Sequence, residues 1–264
     1  MTSSTSNSVT ADNAITLKRS HAWGFLTAAM EYPEGELAAL IRAGDIEKKA
    51  RELFCDIYPE LAEEINWNAL SDAGKDDELS VEYTRLFDVG GSDGPFCCLN
   101  SGAIKGDSRM ALLEELVRFY NYFGLTAAET VANELPDHLS TQFEFMHYLS
   151  HREAECAEAG ESGDDYLRAQ RDFLNRHPNS WVSLLNDRLK EHKAPAYYQA
   201  LGELMHRYVQ FELHRLEGIV STLPPPEAHA EPAETASTSS QAQGMDAPTS
   251  VITIHRKAPK VEQV

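Results

Sequence analysis

Between residues 15 and 223 apolar side chains recur at three- and four-residue intervals, and no run alternates apolar with polar residues. A period near 3.6 gathers such residues on one face of a helix, whereas a half-buried strand needs a period of two. The chain is therefore expected to be all-α, a single helical bundle over residues 15–223. Trp23, Phe25, Leu26, Ala29 and Met30 mark a first helix ending before Pro33, and Ile46, Ala50, Leu53 and Phe54 a second stopping at Pro59. Each ends there because the residue before a proline is pushed out of the helical region. Leu79, Tyr83, Leu86 and Phe87 mark a third, closed by Gly90-Gly91. After a long loop, Asp107 or Ser108 caps a helix that carries Leu112, Leu116, Tyr120 and Phe123 and closes at Gly124. Another starts near Asp137, and the last three cover residues 166–176, about 180–191 and 195–220.

Both ends differ in composition. Residues 1–14 are small and polar, while residues 224–264 open on three prolines and continue in Ala, Glu, Ser, Thr, Gln and Pro. Such segments cannot bury enough apolar area to offset the entropy of ordering, so both are expected to be disordered tails. One island, Val251-Ile252-Thr253-Ile254 followed by His255-Arg256-Lys257, interrupts the second. The formal net charge is −19; the C-terminal tail holds three Lys/Arg and five Asp/Glu, so −17 belongs to residues 1–223. An acidic body argues against nucleic acid and against stable association with anionic membranes, and favours a basic partner. No apolar stretch is long enough to span a bilayer, and no secretory signal opens the sequence. Cys97 and Cys98 are adjacent, and with Cys55 and Cys156 they form no disulfide framework. A cytoplasmic protein is expected.

Catalytic patterns are missing: no phosphate-cradling glycine loop, no Gly-x-Ser-x-Gly, no His-Glu-x-x-His. No catalytic residue, cofactor or metal is expected. The best metal-ligand spacing is His147 with His151, one helical turn apart, with Glu144 and Glu155 on the same side. They need a third ligand from another helix, and an exposed polar stripe is the plainer account. A metal-dependent helical enzyme and a general helical adaptor are the competing function classes.

The most informative stretch is Glu134-Leu135-Pro136-Asp137-His138-Leu139. Pro136 cannot continue a preceding helix, and Asp137 stands where a new one starts, so its carboxylate is placed to cap free N–H groups. His138 lies beside it, able to donate across to a neighbouring element. With side chains facing outward, Glu134, Asp137 and His138 would line a groove suited to a cationic peptide.

This stretch, with Phe143, Glu144 and Met146 behind it, resembles the signature of the TorD/DmsD/NarJ family of redox-enzyme maturation chaperones. Three further segments agree in order: Tyr83-Thr84-Arg85-Leu86-Phe87; Glu114 to Tyr120 with Phe123-Gly124-Leu125; and Arg171 to His177 with Trp181. Together they cover residues 15–223 and neither tail. The loop is most similar to the branch serving ethylbenzene and dimethylsulfide dehydrogenases and selenate or chlorate reductases. That branch continues Gly-Pro with further Pro and Tyr, whereas here Gly94-Pro95 is followed by Phe96-Cys97-Cys98-Leu99-Asn100-Ser101. The resemblance implies a helical chaperone that binds the molybdopterin-containing catalytic subunit of an exported redox enzyme through its twin-arginine signal or an adjacent segment. Such a protein supports cofactor insertion and holds its client until export. The resemblance also implies Asp137 and His138 as client contacts, with Glu134 and Pro136 beside them. Tyr83, Leu86 and Phe87 become the apolar wall, although plain core residues would read the same way.

Overall fold

The computed structural model describes residues 3–225 except 76, 93, 107 and 126–134, with side chains described from residue 13 onward. Among the described residues there are eleven α-helices and no strand, as the periodicity expects. In chain order they are α1 (Ser3–Ala29), α2 (Gly35–Ala43), α3 (Asp45–Ile57), α4 (Leu61–Glu64), α5 (Glu78–Tyr83), α6 (Ser101–Lys105), α7 (Arg109–Tyr122), α8 (Leu139–Ala159), α9 (Asp164–Arg176), α10 (Pro178–Glu191) and α11 (Ala196–Val220). A 3-10 helix, Trp67–Ser71, joins α4 to α5, and a π-helical turn, Thr84–Val89, continues α5. No helix among the described residues is long and apolar enough to cross a membrane.

The structure departs from the sequence expectation at several places, α4 and the Trp67–Ser71 turn among them. The helical backbone of α1 extends upstream of residue 15, where the body was expected to start. Helix α2 was not anticipated, although Leu37, Leu40 and Ile41 stand at helical spacing, because its nine residues carry only one short apolar face, with Ile41 alone fully buried. The expected third helix changes winding at Thr84: Gly90 N–H donates to the Arg85 carbonyl at 3.1 Å, an i→i+5 bond. Gly90 then turns at φ +57°, where an added Cβ would stand 2.1 Å from the Gly94 carbonyl oxygen. Only glycine closes this turn. Finally, the expected long loop contains α6, too short to show a period.

One hydrophobic core runs through the bundle. Helix α1 lies along α8, and α11 packs against α9, α10 and the Trp67–Ser71 turn. Trp23 sits at the centre, its ring 5.2 Å from Phe143 and 4.7 Å from Tyr208. Buried tyrosines remain satisfied because each hydroxyl reaches a carbonyl: Tyr197 to Ala29 at 2.7 Å and Tyr208 to Arg19 at 3.1 Å. An ionic group is buried in the same core. Glu212 Oε1 accepts from Arg19 at 3.1 Å and from Tyr58 at 2.7 Å, and its Oε2 accepts from Arg215 at 2.9 Å.

His177 at the α9–α10 junction makes stability depend on pH. Its ring lies 4.9 Å from Phe173 and 5.5 Å from Phe119, and burial pushes its pKa down from 6.5 to about 4. Burial also lowers His147 and, with help from His147 and His151, His21. A folded pKa below the unfolded one means that the unfolded chain takes up the proton first. The contribution is whole above pH 6.5 and drains away as pH falls toward 4. For His177 this is about 1.4 kcal/mol lost by pH 5.5. Denaturant melts at pH 7.5 and 5.5 should show this loss, and His177→Phe should reduce it; an identical slope in the variant would remove His177 from the account.

Candidate functional site

The residues singled out by sequence fall into two groups joined by one loop. In the first group, the π-helical turn directs Leu86 and Phe87 into the core, where they are 0% and 6% exposed. Tyr83 stays half-buried and anchors an aromatic cluster: its ring is 5.3 Å from Tyr32 and 4.8 Å from Phe87, which lies 5.3 Å from Tyr198. Leu86 and Phe87 are therefore core residues that support a wall from behind. The wall itself was missed by sequence reasoning. Between the α1–α2 turn and α5 an open cleft of about 520 Å³ is lined by Tyr32, Glu34, Asp77, Ser80, Val81 and Thr84. Tyr32 and Val81 stand 42% and 65% exposed in it, Glu34 and Asp77 line it as well, and among the described residues no Lys or Arg does. Ser80 Oγ donates to the Pro33 carbonyl at 2.8 Å and so ties the two sides together. No local pattern announces Tyr32 and Val81, which lie far apart in sequence; a lone exposed valine on a polar helix face is the faint signal available.

The loop after the π-turn is held along its length. Cys97 N–H donates to the Leu86 carbonyl at 2.8 Å, and Phe96 stacks on His192 with ring centres 4.7 Å apart. Arg85 clasps Glu82 and donates to the His192 carbonyl at 3.2 Å. Cys97 is wholly buried, and burial pushes its thiol up to about 11, which makes it a packing residue rather than a nucleophile. At its far end the loop pairs with the second group: Asn100 bridges His138, and Leu139 N–H donates to the Leu99 carbonyl at 2.8 Å.

In the second group the structure corrects the expected roles. Asp137 does not face outward; it is 0% exposed. Nor does it cap its own helix, since His138 is the N-cap of α8, with Nδ1 3.3 Å from Ser140 N and 2.6 Å from Ser140 Oγ. The Asp137 carboxylate instead serves α6, accepting from Asn100 Nδ2 at 3.0 Å and from Gly102 N–H at 3.2 Å, with Arg109 Nη2 3.9 Å away. Gly102 permits this approach, because a Cβ there would meet Asp137 Oδ2 at 3.1 Å. The Asp137 carbonyl accepts from Ser101 N–H and from Gln142 Nε2, and Gln142 Oε1 accepts from Trp181. This buried relay fixes α6, α8 and α10 against one another. Pro136 is half-buried, and its carbonyl accepts from the Tyr120 hydroxyl at 2.8 Å. Glu134 lies outside the described residues. The two groups thus share a loop, while Leu86, Phe87 and Asp137 are turned away from any common groove.

The His147/His151 reading finds no geometric support. His147 Nδ1 is held by Ser20, 2.8 Å from both its carbonyl oxygen and its Oγ. The two imidazoles are 6.2 Å apart, and among the described residues no three His, Cys, Asp or Glu are placed to share a metal ion.

Comparison with known proteins places this geometry in context. The family model described as nitrate reductase delta subunit matches residues 47–187, which span α3 to the middle of α10. A perchlorate reductase assembly chaperone protein of Dechloromonas aromatica (strain RCB) is 36% identical over 123 residues, 46% of this chain and 54% of that protein. The aligned part is thus about half that relative's length. A selenate reductase assembly chaperone protein of Thauera selenatis is 35% identical over 152 residues, 54% of this chain and 77% of that protein. A chlorate reductase assembly chaperone protein of Ideonella dechloratans is 31% identical over 150 residues, again 54% and 77%.

Proposed function

The chain belongs to the nitrate reductase delta subunit family, and on that premise we propose that it is an assembly chaperone without catalytic activity of its own. Its client is the molybdopterin-containing catalytic subunit of an exported oxidoreductase, which it engages in the cytoplasm through a twin-arginine signal or the adjoining segment. Relatives named as assembly chaperones for three reductases support the class of client. The observation that carries the reading at this chain's own surface is the cleft of Tyr32 and Val81. An open cleft lined by apolar groups and carboxylates, with no cation among the described residues of its lining, suits a segment that joins basic to apolar residues. In this reading Tyr83, Leu86 and Phe87 act from beneath the cleft. Asp137 and His138 position the loop and the start of α8, and they do not grip the client themselves.

Titration of the full chain with a peptide carrying two adjacent arginines before an apolar run tests this. Val81→Asp, and separately Glu34→Lys with Asp77→Lys, should each weaken binding about tenfold, or about 1.4 kcal/mol. Raising the salt concentration should weaken the wild type more than the charge-reversed variant, because these charges are exposed to solvent and screened. Equal affinity for a scrambled peptide, or indifference to both variants, would sink the proposed site.

A further inference from the structure

Residues 31–84, which include the whole lining of the Tyr32–Val81 cleft, hold fifteen Asp/Glu against five Lys/Arg. They carry −10 of the −17 that belongs to residues 1–223. Such a field draws lysine and arginine alike, because it senses charge and not shape. A choice between the two has to come from the lining itself.

The polar side chains of that lining face a ligand as acceptors. Ser80 Oγ donates its hydrogen to the Pro33 carbonyl at 2.8 Å, and Thr84 Oγ1 donates to the Ser80 carbonyl at 3.2 Å. Both hydroxyls therefore have only lone pairs left to offer, and Glu34 and Asp77 add carboxylate oxygens. The Arg85 guanidinium, the next cation along the chain, is taken by Glu82 at 2.6 Å.

Beside these acceptors stands the Tyr32 ring, held where it is. The Tyr32 carbonyl accepts from Glu34 N–H at 2.9 Å, and Pro33 between them has a fixed φ. The Ser80 bond to Pro33 pins this turn, with Tyr32 and Glu34 on it, to α5. The ring itself meets Tyr83 edge to face, with centres 5.3 Å apart and planes at 84°. A ligand thus finds the aromatic surface already ordered and still 42% exposed.

We propose that Tyr32 makes the cleft selective for arginine over lysine, its ring stacking on a guanidinium whose N–H groups meet Glu34 and Asp77. This selectivity rests on the reading of the cleft as the client site. A guanidinium is planar and weakly hydrated, with five donors and no acceptor, so it can lie on an aromatic face and meet acceptors at its edge. An ammonium is a compact, strongly hydrated point charge, which gains from the carboxylates but less from the ring.

Two peptides that differ only in a pair of adjacent residues, arginines in one and lysines in the other, each before the same apolar run, are titrated into the full chain. The wild type should bind the arginine peptide about fivefold more tightly. Tyr32→Leu keeps apolar area but removes the π face, so it should bind both peptides alike, with the loss falling on the arginine peptide. Tyr32→Trp should widen the preference, a gain that misfolding cannot produce. Glu34→Gln should weaken both peptides and leave their ratio standing. Equal binding of the two peptides by the wild type, or an unchanged ratio in both Tyr32 variants, overturns the proposal. In that case Val81→Asp still weakening both peptides would keep the cleft as the client site. If Val81→Asp affects neither peptide, the cleft itself fails and the role of Tyr32 with it.

Discussion

Glu212→Ala is expected to destabilise the protein by about 3–5 kcal/mol, the usual consequence of deleting one partner from a buried ionic group. The carboxylate is 0% exposed, and it receives Arg19, Arg215 and the Tyr58 hydroxyl. The side chains of Arg19 and Arg215 are only 15% and 13% exposed, so water replaces little of what is removed. Burial already holds the Tyr58 phenol well above its usual range, with the Glu212 charge adding to it. For a chain of this size the loss corresponds to a fall in Tm of roughly 6–20 °C. Because the cost comes from stranded charge rather than a lost net attraction, replacing all three ions together should recover most of it. Glu212→Leu combined with Arg19→Met and Arg215→Met is the test. A Glu212→Ala variant that melts within 2 °C of the wild type, as about 1 kcal/mol or less would allow, rules out this group as a main brace between α1 and α11.

Asp137→Ala should cost roughly 2–4 kcal/mol and leave client-peptide affinity per folded molecule unchanged. The variant strands the half-buried Asn100 amide and the buried Gly102 N–H, both of which donate to the carboxylate in the wild type. Asp137→Asn should recover only part of the loss, because its new NH2 must face a donor at one of those two positions. Thermal melts alongside peptide titration decide the matter. Full stability together with weakened binding would return Asp137 to the role of direct contact that the resemblance implied. The opposite pattern means that any effect on function runs through the loop of residues 94–100, which Asp137 fastens at Asn100.

The sequence by itself determined that the chain is helical, where most long helices lie, and which family it joins. These are local properties: a 3.6-residue period, a proline or glycine at a boundary, and short motifs in order. Glu212 was not singled out from the sequence, although it falls on the same face of α11 as Met205, Tyr208, Val209 and Leu216, all buried, where an acid needs a partner. Who the partner is was not readable, because Arg19 arrives from a helix 193 residues away. The same limit explains Asp137. A carboxylate beside a helix start favours the free N–H groups nearest to it, and by sequence those belong to α8. Tertiary packing brings the start of α6 beside Asp137 and sets His138 to cap α8, so the acid turns inward to Gly102. Tyr32 and Val81 line one cleft because tertiary packing, tied there by Ser80 on the Pro33 carbonyl, brings the α1–α2 turn beside α5. Periodicity decides which face of a helix is apolar; which backbone N–H, cation or aromatic ring meets that face depends on long-range packing, and only the tertiary structure decided it.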